Sequence, residues 1–585
     1  MSLLAELQRR KVFKVGAAYL VIAWLLIQVA TTVAPQLNIP DWAPRLITLV
    51  VLLGFPLALL LAWIIEATPE GVRIDRGTVG NKRVIATCAI LAATAVGWYW
   101  KTRPAPSSAD ADLRSVAVLP FVNMSDDKGN EYFSDGISEE ILNVLARVPE
   151  LHVAARTSSF SFKGEKKEVP EIARELKVRM VLEGSVRKQA DRVRITAQLI
   201  DAGNGFHLWS DTYDRRLEDI FAIQDEIAHA IAEQLRVKLA PAGSGTAPNG
   251  TTDLQAYELY LKGISLWQAR GGDNLRAAEE TFRAALKRDP KFAKAWAGVA
   301  LAHSILPDWV GESPSTAYPP ALDAAEHALA LDPNLPEPYV VLGYMAAMEL
   351  RFPTANAMFE HALALAPSYA TAHHWHSNSF TYQGNFDAAL AEIRQAVSFD
   401  PKSAVIRSDY VSVLLSMNRP DEAVAVCEGI LRDVPNYFAC SLLHFDIALI
   451  NKDGAAARAA LEPLAALRGP QATRLAQAQL DALDGKGDVQ TVAMQVADLP
   501  DTVNDATGLS PLNVYDNLLW MLAIGRDDLA AQRFVRFAAF EPGYMRYIAY
   551  DPHFDRLHCD ARVQELLRSM NVEEAHVAAR CPKGL

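Results

Sequence analysis

Prolines recur in the second half of the chain at a fixed interval. Pro367, Pro401 and Pro435 stand 34 residues apart, and Pro290 and Pro333 continue the series upstream. A period of that length fits one unit of two helices, which buries its apolar face only by stacking on a copy of itself. Other positions keep phase. Twelve residues before each proline stand Ala278, Ala321, Ala355, Ala389 and Ala423; five before stand Ala285, Ala328, Ala362, Ala396 and Ile430. Between them lie Phe282, Ala325, Phe359, Ile393 and Cys427. Small residues let two helices approach closely, and the residue between them fills the core. The interval from Pro290 to Pro333 is 43 residues, which predicts an inserted loop within Leu306–Pro319.

A 34-residue period closed by proline resembles the tetratricopeptide repeat (TPR), best in 336–367 with Tyr339, Leu342, Gly343, Ala355, Phe359, Ala362 and Pro367 in register. Repeats are expected over 251–470. A degenerate unit with Ala457, Leu461 and Leu464 in phase closes that range, and degenerate TPR-like helices and a C-terminal cap are expected over 471–585, on Ala530 and Phe534 and on the tail D-P-H-F-D-R-L-H-C-D-A-R-V-Q-E-L-L. The resemblance implies a concave groove, lined by the first helix of each unit, that holds a protein or peptide partner. Tyr339, Tyr344, His373, Trp375 and Asn378 are the expected groove residues.

The first hundred residues differ in kind. Runs 15–33, 46–65 and 84–100 carry no charge. A bilayer takes roughly 20 apolar residues of helix, so 1–101 reads as a membrane anchor of three transmembrane helices. Arg9, Arg10, Lys11 and Lys14 precede the first run, and Arg73, Arg76, Lys82 and Arg83 lie between the second and third. Basic loops stay inside. The expectation is a membrane location with the lipid bilayer as a partner, a cytoplasmic N-terminus and residues 101–585 on the opposite side.

Residues 102–112, T-R-P-A-P-S-S-A-D-A-D, read as a linker, as does 240–250. Between them, 113–239 reads as an α/β domain. Strands are expected at 115–121, 151–155, 179–186, 192–199 and 206–213, and helices at 132–148, 170–176 and 217–239. The segments S-V-A-V-L-P-F-V-N-M-S, E-Y-F-S-D-G-I-S-E-E-I, V-L-E-G-S-V-R, L-I-D-A-G-N-G-F-H-L-W-S-D-T-Y-D-R and F-A-I-Q-D-E-I-A resemble the bacterial TolB amino-terminal-like domain. The leader L-Q-R-R-K-V-F-K-V-G-A-A-Y-L-V-I-A-W is similar to those of bacterial membrane proteins that join this domain to tetratricopeptide repeats, and the resemblance implies a bacterial inner membrane location with residues 101–585 in the periplasm. Relatives carry the module behind cyclase or winged-helix domains; apolar runs stand there in this chain. The expected fold class is therefore multidomain: three membrane helices, a TolB-like α/β domain and an all-α TPR solenoid.

Residues 1–104 hold 11 Lys and Arg against 5 Asp and Glu, so of the formal −12 the rest of the chain carries −18. An acidic surface argues against nucleic acid. No phosphate-binding loop, H-E-x-x-H, G-x-G-x-x-G or nucleophile elbow occurs, so no catalytic residue, cofactor or metal is expected. His373, His374 and His376 read as repeat packing or groove lining, and Asp126, Asp127, Asn130 and Asp135 as a solvated turn without the twelve-residue calcium spacing. Cys427 occupies the repeat's core position and reads as a buried thiol; Cys559 and Cys581 would pair across the last helix in an oxidising compartment. The expected function is a non-enzymatic, membrane-anchored scaffold that binds protein partners, with self-association left open. The rival is a signalling sensor whose α/β domain binds a small molecule.

Overall fold

The computed structural model describes residues 114–235, 237, 250–310, 312–435, 437–467, 469–499, 514–539, 542–572 and 581, with residues 19, 23, 26, 28, 65–68 and 71–74 near the N-terminus. Residues 1–107 and 108–585 form two compact units. In the first, strands β1 (Ile65–Thr68) and β2 (Gly71–Ile74) pair antiparallel, with Ile65 opposite Ile74.

The expected membrane architecture is corrected here. Apart from isolated positions, runs 15–33, 46–65 and 84–100 lie outside the described residues, and Ile65, read as the end of a span, is a strand residue. Among the described residues no helix is long and apolar enough to cross a membrane. An apolar run reports a need for burial and not the medium that meets it. The inner-membrane placement, with a cytoplasmic N-terminus and residues 101–585 in the periplasm, rested on those spans and falls with them. The described chain is a mostly helical solenoid preceded by an α/β region.

The α/β region is built on one sheet in the order β5-β3-β6-β7-β8, where β3 is Ser115–Val118, β5 His152–Val153, β6 Met180–Gln189, β7 Arg192–Asp201 and β8 Phe206–Arg216; β4 (Val122–Asn123) also pairs with β6. β3 runs parallel to β5 and β6, and β6, β7 and β8 form an antiparallel meander. Helices α1 (Glu131–Ala146), α2 (Arg156–Phe160), α3 (Val169–Leu176) and α4 (Ile220–Leu235) surround it. Successive side chains of a strand point to opposite faces. Val116 and Val118 accordingly join the core that holds Ile137, Ile141, Ile223 and Ile227, while Ala117 and Leu119 join Ile172 and Leu176 of α3. The first of the two strands runs beyond its expected end at 186: β6 continues to Gln189, and Ala190 and Asp191 alone make the turn into β7, Ala190 at φ 52°.

The solenoid consists of helix pairs α5/α6 (Leu254–Ala269, Gly272–Arg288), α7/α9 (Ala293–Ser304, Pro314–Leu331), α10/α11 (Pro336–Met348, Phe352–Leu365), α12/α13 (Ala370–Tyr382, Phe386–Phe399), α14/α15 (Ala404–Ser416, Pro420–Asp433), α16/α17 (Phe438–Ile450, Gly454–Leu467), α18/α19 (Pro470–Leu483, Val489–Ala497) and α20/α21 (Val514–Ala523, Asp527–Ala538). α22 (Pro542–Tyr550), a 3-10 stretch (Pro552–Cys559) and α23 (Ala561–Ser569) end it. The segment expected as a loop within the second unit folds instead into α8 (Leu306–Val310) and the start of α9. The in-phase alanines 278, 321, 355, 389 and 423 are all fully buried. Ala355→Leu is expected to destabilise by about 1–3 kcal/mol through overpacking, and exposed Lys287→Ala by less than about 0.5 kcal/mol. Equal melting of the two variants would overturn the packing register.

Ion pairs tie units together. Glu279 of α6 lies 2.9 Å from His303 Nε2 of α7 and 2.8 Å from Arg283 Nε. The His303 imidazole beside it, and then the Arg283 hydrogen bond, hold its carboxyl down at about 2. A depressed carboxyl contributes stability that is present above its unfolded value and lost as pH falls through the folded one. Acid melting between pH 4.5 and 2 should therefore flatten in Glu279→Gln; an unchanged pH profile of the melting midpoint would contradict it.

The last helices turn back on the middle of the stack. Ser416 Oγ of α14 donates to Asp551 Oδ2 at 2.8 Å and lies 3.1 Å from the Tyr547 hydroxyl. Arg546 Nε donates to the Tyr382 carbonyl of α12 at 3.0 Å.

Candidate functional site

The first helices of five repeats line one side of a cavity, and the chain's own α/β region lies against them on the other. Beyond β5 the backbone leaves the sheet: the Ala155 N–H donates to the Phe399 carbonyl at 2.7 Å. Ser158 Oγ donates to Asp400 Oδ1 at 2.5 Å and accepts from the Lys402 N–H at 2.8 Å. Ser368 Oγ donates to the Leu151 carbonyl at 2.9 Å, and the His152 ring stacks on Phe399 with centroids 4.6 Å apart. Nearer the N-terminal repeats, α1 lies against α5: Glu140 meets Lys294 and the Tyr260 hydroxyl, the latter at 3.2 Å. The Tyr257 hydroxyl accepts from Gln224 of α4 at 2.8 Å.

The cavity between the α/β region and these helices has a volume of about 630 Å³. α1 and α2 supply one wall, with Glu139, Ala146 and Arg156; α5, α7, α10, α12 and α14 supply the other. Glu139 and Arg156 pair at 2.8 Å, and burial pushes the Glu139 carboxyl up to about 7 against the pull of Arg156. Burial also lowers Arg270 to about 10 and raises Glu337.

The five residues expected to line a groove separate into two groups. Tyr344, Trp375 and Asn378 line the cavity. Tyr344 and Trp375 are each only 8% exposed and pack together, centroids 4.9 Å apart; Asn378 donates to Asp409 at 3.1 Å. Tyr339 and His373 are not among the cavity's lining residues. The Tyr339 hydroxyl donates to the Pro333 carbonyl at 3.1 Å, and His373 Nε2 lies 3.0 Å from the Pro367 carbonyl. Trp296 Nε1 donates in the same way to Pro290 at 3.0 Å. The three stand at one repeat position, six residues after the in-phase proline, and tie off its carbonyl, one of the helix-terminal acceptors that the repeat turn leaves open. The histidine trio diverges: His373 contacts Glu392 at 2.6 Å, His374 contacts Asp409 at 2.6 Å, and His376 sits between the rings of Phe359 and Phe380. Among the described residues no cluster is arranged to hold a metal ion. Arg270, Glu337, Asp400 and Ser158 are not marked by any local spacing in the sequence; contacts across the fold bring them together.

Residues 380–444 match the family model described as tetratricopeptide repeat. Over 231 residues the chain is 40% identical to "Putative adenylate cyclase 3" of Rhizobium meliloti (strain 1021). That match covers 39% of each protein, so the chain spans about two fifths of the length of this curated relative. Similar solved structures include TTC0263, a thermophilic TPR protein of Thermus thermophilus, at 24% identity and TM-score 0.28 over 32% of this chain and 95% of that one. Pseudomonas aeruginosa pilF is similar at 16% identity and TM-score 0.30 over 38% and 97%. YrrB, described as a TPR protein with an unusual peptide-binding site, is similar at 17% identity and TM-score 0.22 over 32% and 89%. With its repeats matched by the family model over 380–444 and by their own phase, the chain carries tetratricopeptide repeats.

Proposed function

We propose that the protein is an adaptor whose concave face takes up an extended segment of a partner protein in competition with its own α/β region. One observation carries the reading. The turns between units beside that face, at Ser368 and at Phe399–Lys402, already grip residues 151–158 of the same chain through main-chain and hydroxyl hydrogen bonds, a mode that accepts an extended backbone without demanding one sequence. The α/β region, which resembles the TolB amino-terminal-like domain, then acts as an internal occupant that sets how much of the face is free. Trp375 and Tyr344 line the cavity but are nearly buried and pack on each other. Trp375→Ala is thus a packing variant, expected to cost about 3–5 kcal/mol of stability, and is unsuited to testing capture alone.

Ser158→Ala is the cleaner probe, since it removes both bonds to Asp400 and Lys402 while leaving the repeats intact. Co-purification of the full chain from its source cells, read by mass spectrometry, should recover a defined partner, with several-fold more of it on the Ser158→Ala protein. Unchanged recovery from a folded variant would show that partners bind elsewhere. The likeness to a protein named as a putative adenylate cyclase favours a second reading, in which the α/β region reports a bound small molecule to an attached function. Partner recovery indifferent to Ser158 but sensitive to an added metabolite would favour it.

A further inference from the structure

In the cavity beneath the α/β region, two charged groups each keep a buried polar atom without a hydrogen-bond partner among the described residues. The cavity's other ionic groups are spoken for: Arg156 by Glu139, Lys294 by Glu140, His374 by Asp409 and Lys402 by Glu175. Arg270 and Glu337 are the exceptions. Arg270 Nη1 and Glu337 Oε2 are buried without a hydrogen-bond partner among the described residues. Burying charge without a partner is among the costliest arrangements in a fold, and it persists where something outside the fold supplies the partner.

Arg270 is also held in an unusual way. It follows α5 with φ 55° and ψ −179°, a backbone region that is nearly glycine's alone. Asn274 Nδ2 fixes its carbonyl at 2.6 Å, and the guanidinium lies over the Trp267 ring, 3.9 Å from its centre. Strain of this kind survives where the surroundings over-determine it, commonly at ligand clamps. Arg270, Glu337 and Tyr369 all line this one cavity, so the two groups serve one region. Trp267, Tyr344 and Trp375 give that region an apolar wall, and the volume falls in the range of small-molecule sites, roughly 300–1,000 Å³.

We propose that this cavity binds a small zwitterion with an apolar side chain, its carboxylate on Arg270, its ammonium on Glu337 and its side chain against Trp267, Tyr344 and Trp375. The chemistry is that of an apolar α-amino acid or a short apolar peptide. The inference is independent of partner capture by the repeats.

Calorimetric titration of the full chain decides it. The probes are L-phenylalanine and L-phenylalanyl-L-phenylalanine, each compared with its N-acetyl and its C-terminal amide forms. We expect one of the two zwitterions to bind one-to-one and either blocking group to weaken it about tenfold or more, as loss of a charged hydrogen bond does. Which zwitterion binds separates a free amino acid from a peptide. Arg270→Gln should erase the preference for carboxylate over amide and keep that for ammonium over acetyl; Glu337→Gln should do the reverse. No binding of either zwitterion, or equal affinity for zwitterion and blocked forms, overturns the proposal. Discrimination by the wild-type chain decides even if a variant fails to fold.

Discussion

Phe282→Ala should lower the unfolding free energy of the chain by about 3–5 kcal/mol, the cost of a large cavity in a packed core. The ring is fully buried and wedged between two glycines on neighbouring helices. A methyl group on Gly263 of α5 would come within 2.5 Å of it, and one on Gly298 of α7 within 2.6 Å. The two helices approach as closely as they do because both glycines leave room for this one ring. Gly298→Ala alone should therefore cost about 1–3 kcal/mol by overpacking. With the ring already removed, the same methyl group should cost little. A double-mutant cycle by chemical denaturation measures this coupling. Additive losses, or a loss below about 1 kcal/mol for Phe282→Ala, would show that the ring is not the wedge.

Reduction of the Cys427–Cys440 disulfide should cost about 2–4 kcal/mol, the usual worth of a bridge across a short loop. The two cysteines are 13 residues apart and join α15 to α16, with Cα atoms 5.3 Å apart. A second bridge, Cys559–Cys581, ties the C-terminal segment, so the comparison belongs in a chain carrying Cys559→Ala and Cys581→Ala. There, reductant should shift the denaturation midpoint of the oxidised protein and leave a further Cys427→Ala/Cys440→Ala variant unmoved. A midpoint indifferent to reductant would show that the bridge adds nothing to the packing around it.

Cys427 shows where sequence reasoning reaches and where it stops. Its place was legible, because the repeat phase put it where Phe282, Phe359 and Ile393 stand. Its bond was not, because Cys440 belongs to the next unit's first helix and no spacing rule pairs the two. The helices of the stack were legible for the same reason of phase, as were the main strands from their apolar runs. Strand 151–155 was overextended: two of its residues pair in the sheet, and Ala155 turns to Phe399 instead. Tyr339 and His373 share Trp296's position six residues after the proline, and that recurrence was legible in the sequence although the carbonyl contact it serves was not. The cavity was illegible altogether, because its walls come from segments more than a hundred residues apart. In the first hundred residues, hydropathy alone could not specify what covers an apolar run.

The contact between Ser158 and Asp400 spans 242 residues of chain. A stack of repeats by itself grows by neighbours and needs no distant partner to begin. Here the segment 151–158 is made first and its binding surface much later. At the usual pace of synthesis, about 5–20 residues per second, that segment waits roughly 12–50 s for Asp400 to emerge. For that interval its unmet backbone groups are open to whatever else is nearby, so the time of greatest exposure to a foreign partner, or to a chaperone, falls before the chain is complete.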